Sequence, residues 1–153
     1  MRAVRSKDTL PELAVRRLAH GLGYRYRLHA SALPGKPDLT FASRRKVIFV
    51  HGCFWHQHPA AKCSDARQPR SNTDYWQPKL ANNVKRDAAH IARLTAMGWK
   101  SMVVWECETK QLQALGKRLV RFLGKRATLS SSSSELGPEW TCVVGDRETV
   151  AHG

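Results

Sequence analysis

No stretch of this chain approaches the roughly 18 consecutive apolar residues of a membrane-spanning helix. Its basic N-terminus also lacks the apolar core of a secretory signal. Both absences predict a cytoplasmic protein without a membrane partner. Cysteine is sparse, with four among 153 residues, and in a reducing compartment they read as thiols or metal ligands rather than disulfides. No internal repeat is evident, and the length suits a single domain with room for a sizeable core. The marked shortage is of acid: 12 Asp and Glu stand against 26 Lys and Arg, a net charge of +14. Residues 1–110 hold 20 basic and 8 acidic side chains, which leaves +12 there. The excess is thus spread along the chain rather than gathered in a tail, which favours polyanion binding by a folded surface over binding by a basic tail. An anionic membrane surface is disfavoured, because no strongly amphipathic basic helix stands out.

Periodicity predicts the order α-β-β-β-α-β-α. Residues 10–21 have helical spacing through Leu10, Leu13, Ala14, Leu18 and, just beyond, Leu22. Thr9 and Glu12 form a capping-box pair, Pro11 suits the first turn, and Gly21 and Gly23 end the helix. Tyr24–Leu28 alternates like a short strand, and Leu33-Pro34-Gly35-Lys36-Pro37 forms a turn leading into Asp38. Leu39–Ala42 and Lys46–His51 read as strands of a hairpin across Ser43-Arg44-Arg45. Residues 59–75 lack periodicity and form an unusually long loop, functional or pinned by a metal. Helix returns at 78–97, strand at Trp99–Trp105 and an amphipathic helix at Leu112–Leu123. The composition after Gly124, with its Ser130–Ser134 run, predicts a domain over 1–124 and a disordered tail over 125–153. The class is mixed α/β, helices flanking a short central sheet.

The densest chemistry is His51-Gly52-Cys53-Phe54-Trp55-His56-Gln57-His58, directly after an apolar strand. Imidazole and thiol groups at a strand end suit metal binding or acid–base work. Two adjacent large aromatics on an extended segment cannot both face one core, so one of Phe54 and Trp55 is expected to point elsewhere, and in so basic a chain a stack of bases is the expected target. Cys53, His58 and Cys63 lie at intervals of five residues, and Cys107 follows the later strand, where the chain can return to the same sheet end. Three thiolates and an imidazole would close a tetrahedral structural Zn2+ site and pin the long loop; the alternative is a set of unlinked buried cysteines. Cys142 has no partner in this scheme.

Asp38, at the start of a strand near a basic surface, is a natural ligand for Mg2+, which prefers oxygen donors and keeps several waters. Such an ion assists phosphodiester hydrolysis by polarising the phosphate. Either His51 or His56 could activate the attacking water. Each carboxylate also has an ordinary explanation: Asp38 as a turn residue, Glu12 as part of a cap, and Asp87 as a solvated partner on its helix.

Taken together, the residues resemble the very-short-patch repair (Vsr) endonucleases, which nick DNA at T:G mismatches. The matching stretches are Lys7-Asp8-Thr9, Pro11-Glu12, Leu33 to Asp38, Val47 to His56, Tyr75-Trp76, Asn83, Arg86-Asp87, Gly98-Trp99 and Val104 to Cys107. The resemblance implies a restriction-endonuclease-like fold, with Mg2+ on Asp38 and the backbone carbonyl of Val50. It implies that His51, Glu12 and Asp87 hold metal-bound waters and that His56 is the general base. Zn2+ would sit on Cys53, His58, Cys63 and Cys107, with the spacing before Cys63 absorbed as a small insertion. Phe54, Trp55 and Trp76 would form a wedge entering the duplex beside the mismatch. The cut would fall 5′ to a thymine produced by deamination of 5-methylcytosine. The implied partner is double-stranded DNA carrying a T:G mismatch, with mismatch-repair proteins as further candidates, for a monomeric bacterial enzyme found on the nucleoid. Family members usually carry a longer N-terminal segment that helps clamp DNA. Two other readings remain open: a restriction-type nuclease on the same fold, without the paired wedge, and a non-catalytic zinc-stabilised DNA-binding module.

Overall fold

The structure is a computed structural model that describes residues 8–59 and 63–125. The expected tail beyond Lys125, with its serine run and Cys142, falls outside those residues. Four strands form one sheet in the order β1-β2-β3-β4, with β1 at Arg27–Leu28, β2 at Leu39–Phe41, β3 at Lys46–His51 and β4 at Lys100–Trp105. β1, β2 and β3 pair antiparallel, whereas β3 and β4 run parallel with Ile48 opposite Met102 and His51 opposite Trp105. A parallel pair needs a crossover, and helix α2 (Thr73–Ala96) supplies it; α1 (Leu10–Gly21) and α3 (Leu112–Leu123) complete the fold.

Side-chain alternation divides the sheet's two faces between the helices. Leu39, Phe41, Ile48, Met102 and Val104 face α1 and α3, where they meet Val15, Ala19, Leu115, Leu119 and Leu123. Val47 and Phe49 point the other way, onto Leu94 of α2 with Ile91, Trp99 and Val103. Each fully buried side chain of this kind stabilises the fold by about 1.5–3 kcal/mol. The result is a three-layer mixed α/β sandwich, the arrangement expected from the order of elements. Among the described residues no helix is long and apolar enough to cross a membrane.

Four local expectations need correction. The alternation over Tyr24–Leu28 yields a strand of only two residues, because Tyr24 and Tyr26 turn into the core edge-on to Phe41. Their hydroxyls donate to the carbonyls of Gly124 and Arg16. α2 starts at Thr73 rather than at residue 78, with Pro78 inside it. Proline there forfeits one backbone bond near the helix start, too small a loss to outweigh the packing of the rest. In α1, Leu10 is 82% exposed, and the buried positions are Glu12, Val15, Arg16 and Ala19. Two charged residues on the inner face disguised it as polar. The capping box is half made: Thr9 accepts from the Glu12 N–H at 3.4 Å, but the Glu12 carboxylate reaches past Thr9 to the N–H of Asp8 at 2.9 Å.

Candidate functional site

The carboxyl ends of parallel strands are where open α/β sheets gather ligands, since their loops diverge there. Here β3 and β4 end at His51 and Trp105, and β2 begins beside them at Leu39. Asp38 immediately precedes β2; its N–H donates to the Ile48 carbonyl at 3.1 Å and its Oδ2 accepts from the Val50 N–H at 2.7 Å. The carboxylate is therefore fixed across the sheet to β3. Burial pushes Asp38 up to about 7, against which the Val50 hydrogen bond pulls only partly. Such a carboxyl gains more than an exposed one from a cation beside it.

After β3 the chain folds into a tight turn rather than continuing extended, with bonds from His56 N–H to the Gly52 carbonyl and from His58 N–H to the Cys53 carbonyl, at 3.1 and 3.0 Å. The argument from strand alternation for Phe54 and Trp55 thus does not apply, since a turn releases side chains in several directions. It brings His56 back over His51, their rings stacked with centroids 3.9 Å apart. His56 Nδ1 bonds Asp87 Oδ2 of α2 at 2.5 Å. Burial raises the Asp87 carboxyl, but the hydrogen bond and charge of His56 outweigh it and leave Asp87 below the usual range. Burial, helped by the charge of His56, pushes His51 down to about 4 and so keeps that ring neutral near pH 7. Glu12, Asp38, Val50, His51, His56 and Asp87 all line one cleft of about 840 Å³. Every position named for catalysis from the sequence lies there. Lys36, Arg86, His29, His90 and Glu106 line it too. Sequence reasoning gave them no role: Lys36, Arg86 and Glu106 entered only as members of the matching stretches, and an isolated His on a loop or helix face carries no spacing signal.

On the other side of the same turn, the ligand atoms of Cys53, His58, Cys63 and Cys107 lie within 4.8 Å of one another. His58 Nδ1 is 3.8 Å from Cys53 Sγ and 3.5 Å from Cys107 Sγ. Ordinary Zn–N and Zn–S bond lengths give a tetrahedron whose N···S edge is about 3.6 Å, so the donor set fits such an ion. Burial pushes the Cys53 thiol up to about 12 and raises Cys107 as well, a penalty on the thiolates that a dication would reverse. Trp105 stacks on His58 with centroids 4.4 Å apart and holds that ring in place.

Phe54, Trp55 and Trp76 form a third group, their centroids 5.0–6.0 Å apart. Tyr75 joins it edge-on to Trp76 and is 57% exposed. Lys79 Nζ lies 5.2–5.8 Å from the rings of Tyr75, Trp55 and Trp76. Asn83 donates to the Trp55 carbonyl at 3.0 Å and ties the turn to α2. An aromatic ledge at the rim of this carboxylate- and histidine-lined cleft, on a chain of net charge +14, suits the stacking of bases better than a protein core.

A carboxylate fixed at a sheet end, a His–Asp pair and an aromatic ledge on a strongly basic chain define the class: a nuclease. Comparison with known proteins narrows it. Residues 1–62 match the family model described as DNA mismatch endonuclease Vsr. The Type II nicking enzyme V.XorIIP of Xanthomonas oryzae pv. oryzae is 53% identical over 123 residues, 80% of this chain and 88% of that protein. The DNA mismatch endonuclease Vsr of Escherichia coli is 34% identical over 145 residues, 95% and 83% of the two chains. V.NmeAIP, a Type II nicking enzyme of Neisseria meningitidis, is 39% identical over 123 residues, 80% and 86%. The chain belongs to the Vsr family of DNA mismatch endonucleases, and it is a DNA-nicking repair endonuclease.

Proposed function

We propose that this enzyme nicks one strand of duplex DNA at a T:G mismatch, 5′ to the thymine, with a Mg2+ ion on Asp38 and the Val50 carbonyl. The observation that carries the reading is the meeting in one cleft of Asp38 with the His56–Asp87 pair, beside the ledge of Phe54, Trp55 and Trp76. A cation bound to Asp38 would polarise the target phosphate and stabilise the charge that develops on it. His56 takes the proton from the attacking water. Asp87 bonds its Nδ1, so Nε2 is the nitrogen left for the water, and the bond also steadies the imidazolium formed. His51, neutral and stacked beneath, and Glu12 hold the surrounding waters without competing for that proton.

Mismatch preference follows from the ledge. Opening a base step costs a few kcal/mol and least where pairing is already faulty, so inserting Phe54, Trp55 and Trp76 favours a mismatch before any base edge is read. Cys53, His58, Cys63 and Cys107, whose ligand atoms cluster, would hold a structural Zn2+ that would fix the far side of the same turn. The charge of the chain supplies sequence-independent affinity for the backbone. The enzyme works as a monomer on nucleoid DNA in the bacterial cytoplasm, its endonuclease domain spanning residues 1–124, with mismatch-repair proteins as candidate partners.

The test is a nicking assay on duplexes that differ only in one T:G or C:G pair, with Mg2+ and with chelator. Mg2+-dependent cutting of the T:G duplex alone is expected. Equal cutting of both duplexes would favour the restriction-type reading, and binding without cutting a DNA-binding module.

A further inference from the structure

Arg16 sits on the buried face of α1, where sequence patterning expects an apolar residue, and is 8% exposed. Its Nη1 bonds Asp8 Oδ1 at 2.8 Å, while its Nη2 bonds Glu12 Oε2 at 3.2 Å and lies 2.9 Å from His29 Nε2. The ligand atoms of Asp8, Glu12 and His29 are close enough together to hold a metal ion. The guanidinium already fills that place, so the cluster is not a second metal site. We propose that Arg16 is a positioning residue for nicking: an internal organic cation that aims Glu12 into the cleft and holds His29 beside it.

Three observations carry this. First, Glu12 Oε2 accepts from both the Asp8 N–H at 2.9 Å and Arg16 Nη2, whereas Oε1 receives no hydrogen bond from the described residues. One oxygen is saturated and the carboxylate cannot rotate, so the other is presented to the cleft that Glu12 lines. Second, arginine has only donors, so His29 Nε2 must accept. His29 also lines the cleft, and its own N–H donates to the Asp38 carbonyl at 3.3 Å. Arg16 therefore links α1 to the residue on which the proposed metal site depends. Third, the arrangement is not one that stability alone would select. Arg16 Nε is buried without a hydrogen-bond partner among the described residues, and His29 is held at φ +47, in the left-handed region that side chains avoid. Strain and an unmade bond kept together beside a cleft point to function.

The proposal rests on the role given to Glu12 above, and its test separates the two. Single-turnover nicking of a T:G duplex with Mg2+ is measured for Glu12→Gln, Arg16→Met and the double variant, along with duplex Kd and melting temperature. Each single variant is expected to slow nicking about 10–100-fold, with duplex Kd changed by no more than about twofold. The double variant is expected to be no slower than the slower of the two singles. Arg16→Lys, which keeps the charge but not the planar fork, should recover part of the rate. It also serves as the working variant if Arg16→Met does not fold. Losses that multiply in the double variant would overturn the positioning role while leaving Glu12 in place. Wild-type nicking by Glu12→Gln would overturn the Glu12 reading and this one with it. A slowed Arg16 variant whose whole defect is weakened DNA binding would also overturn the proposal.

Discussion

Asp38→Asn keeps the size of the side chain and leaves an oxygen to accept the Val50 N–H bond, now 2.7 Å long, while it removes the charge. In the folded protein this carboxyl titrates near 7, against an ordinary value of 3.8. Its folded-state proton affinity is therefore raised, so the folded chain holds a proton that the unfolded chain has already lost. Stability is fully present below about pH 4 and declines as pH rises through about 7. A shift of that size corresponds to an upper bound of about 4 kcal/mol, and partial exposure reduces it to roughly 2–4 kcal/mol. Asparagine escapes the penalty. Without added Mg2+, the variant is expected to melt roughly 5–15 °C above wild type at pH 8.5, with the gap closing toward pH 4. The opposite trend from His51, whose lowered value favours the folded state as pH rises from about 4 to 6.5, is common to both proteins and cancels in the difference. Scanning calorimetry at three pH values measures the gap, and a Mg2+ titration should raise the melting temperature of wild type only. The variant should not nick but should still bind T:G duplex. A variant less stable than wild type at pH 8.5, or a gap independent of pH, would refute the account of Asp38 as a carboxylate held against its own desolvation.

Other substitutions separate the remaining parts. His56→Ala should lower kcat by about 10²–10⁴-fold with duplex affinity little changed, and Asp87→Asn should lower it less, as expected for a group that orients the base. A large rise in Kd for either would move it from proton transfer to DNA binding. Trp55→Ala should weaken T:G binding by about 1–3 kcal/mol and narrow the difference between T:G and C:G duplexes in a competition assay. An unchanged ratio would remove the wedge. Cys107→Ala should release one Zn2+ per chain by elemental analysis and lower the melting temperature by about 10 °C or more. Retention of the metal would break the proposed ligand set.

Much of the architecture was legible because the signals were dense and local. β3 and α3 begin and end where the apolar patterns of Lys46–His51 and Leu112–Leu123 do. The meeting of Cys53, His58, Cys63 and Cys107 followed from a parallel return of the chain to one sheet end. What escaped was set by tertiary context. Pro78 read as a helix start, yet the helix runs through it because residues on both sides dock Trp55 and the sheet. Arg16 gave no signal and Glu12 read from its spacing as a cap, because charge on an inner helix face contradicts patterning, and only the fold reveals that they satisfy each other. His29 and His90 entered the cleft unannounced, since a lone His carries no spacing signal. A turn has no period from which to read the directions of Phe54 and Trp55, although their chemistry was plain.

The turn after β3 serves three tasks within His51–His58: the stacked imidazoles, two blades of the aromatic ledge and two of the four clustered ligands. Losing or gaining a single residue inside it would rotate everything downstream and disturb all three together. This span can therefore change in evolution by exchanging side chains but not by altering its length, and designers grafting new specificity onto the scaffold should leave its backbone register alone.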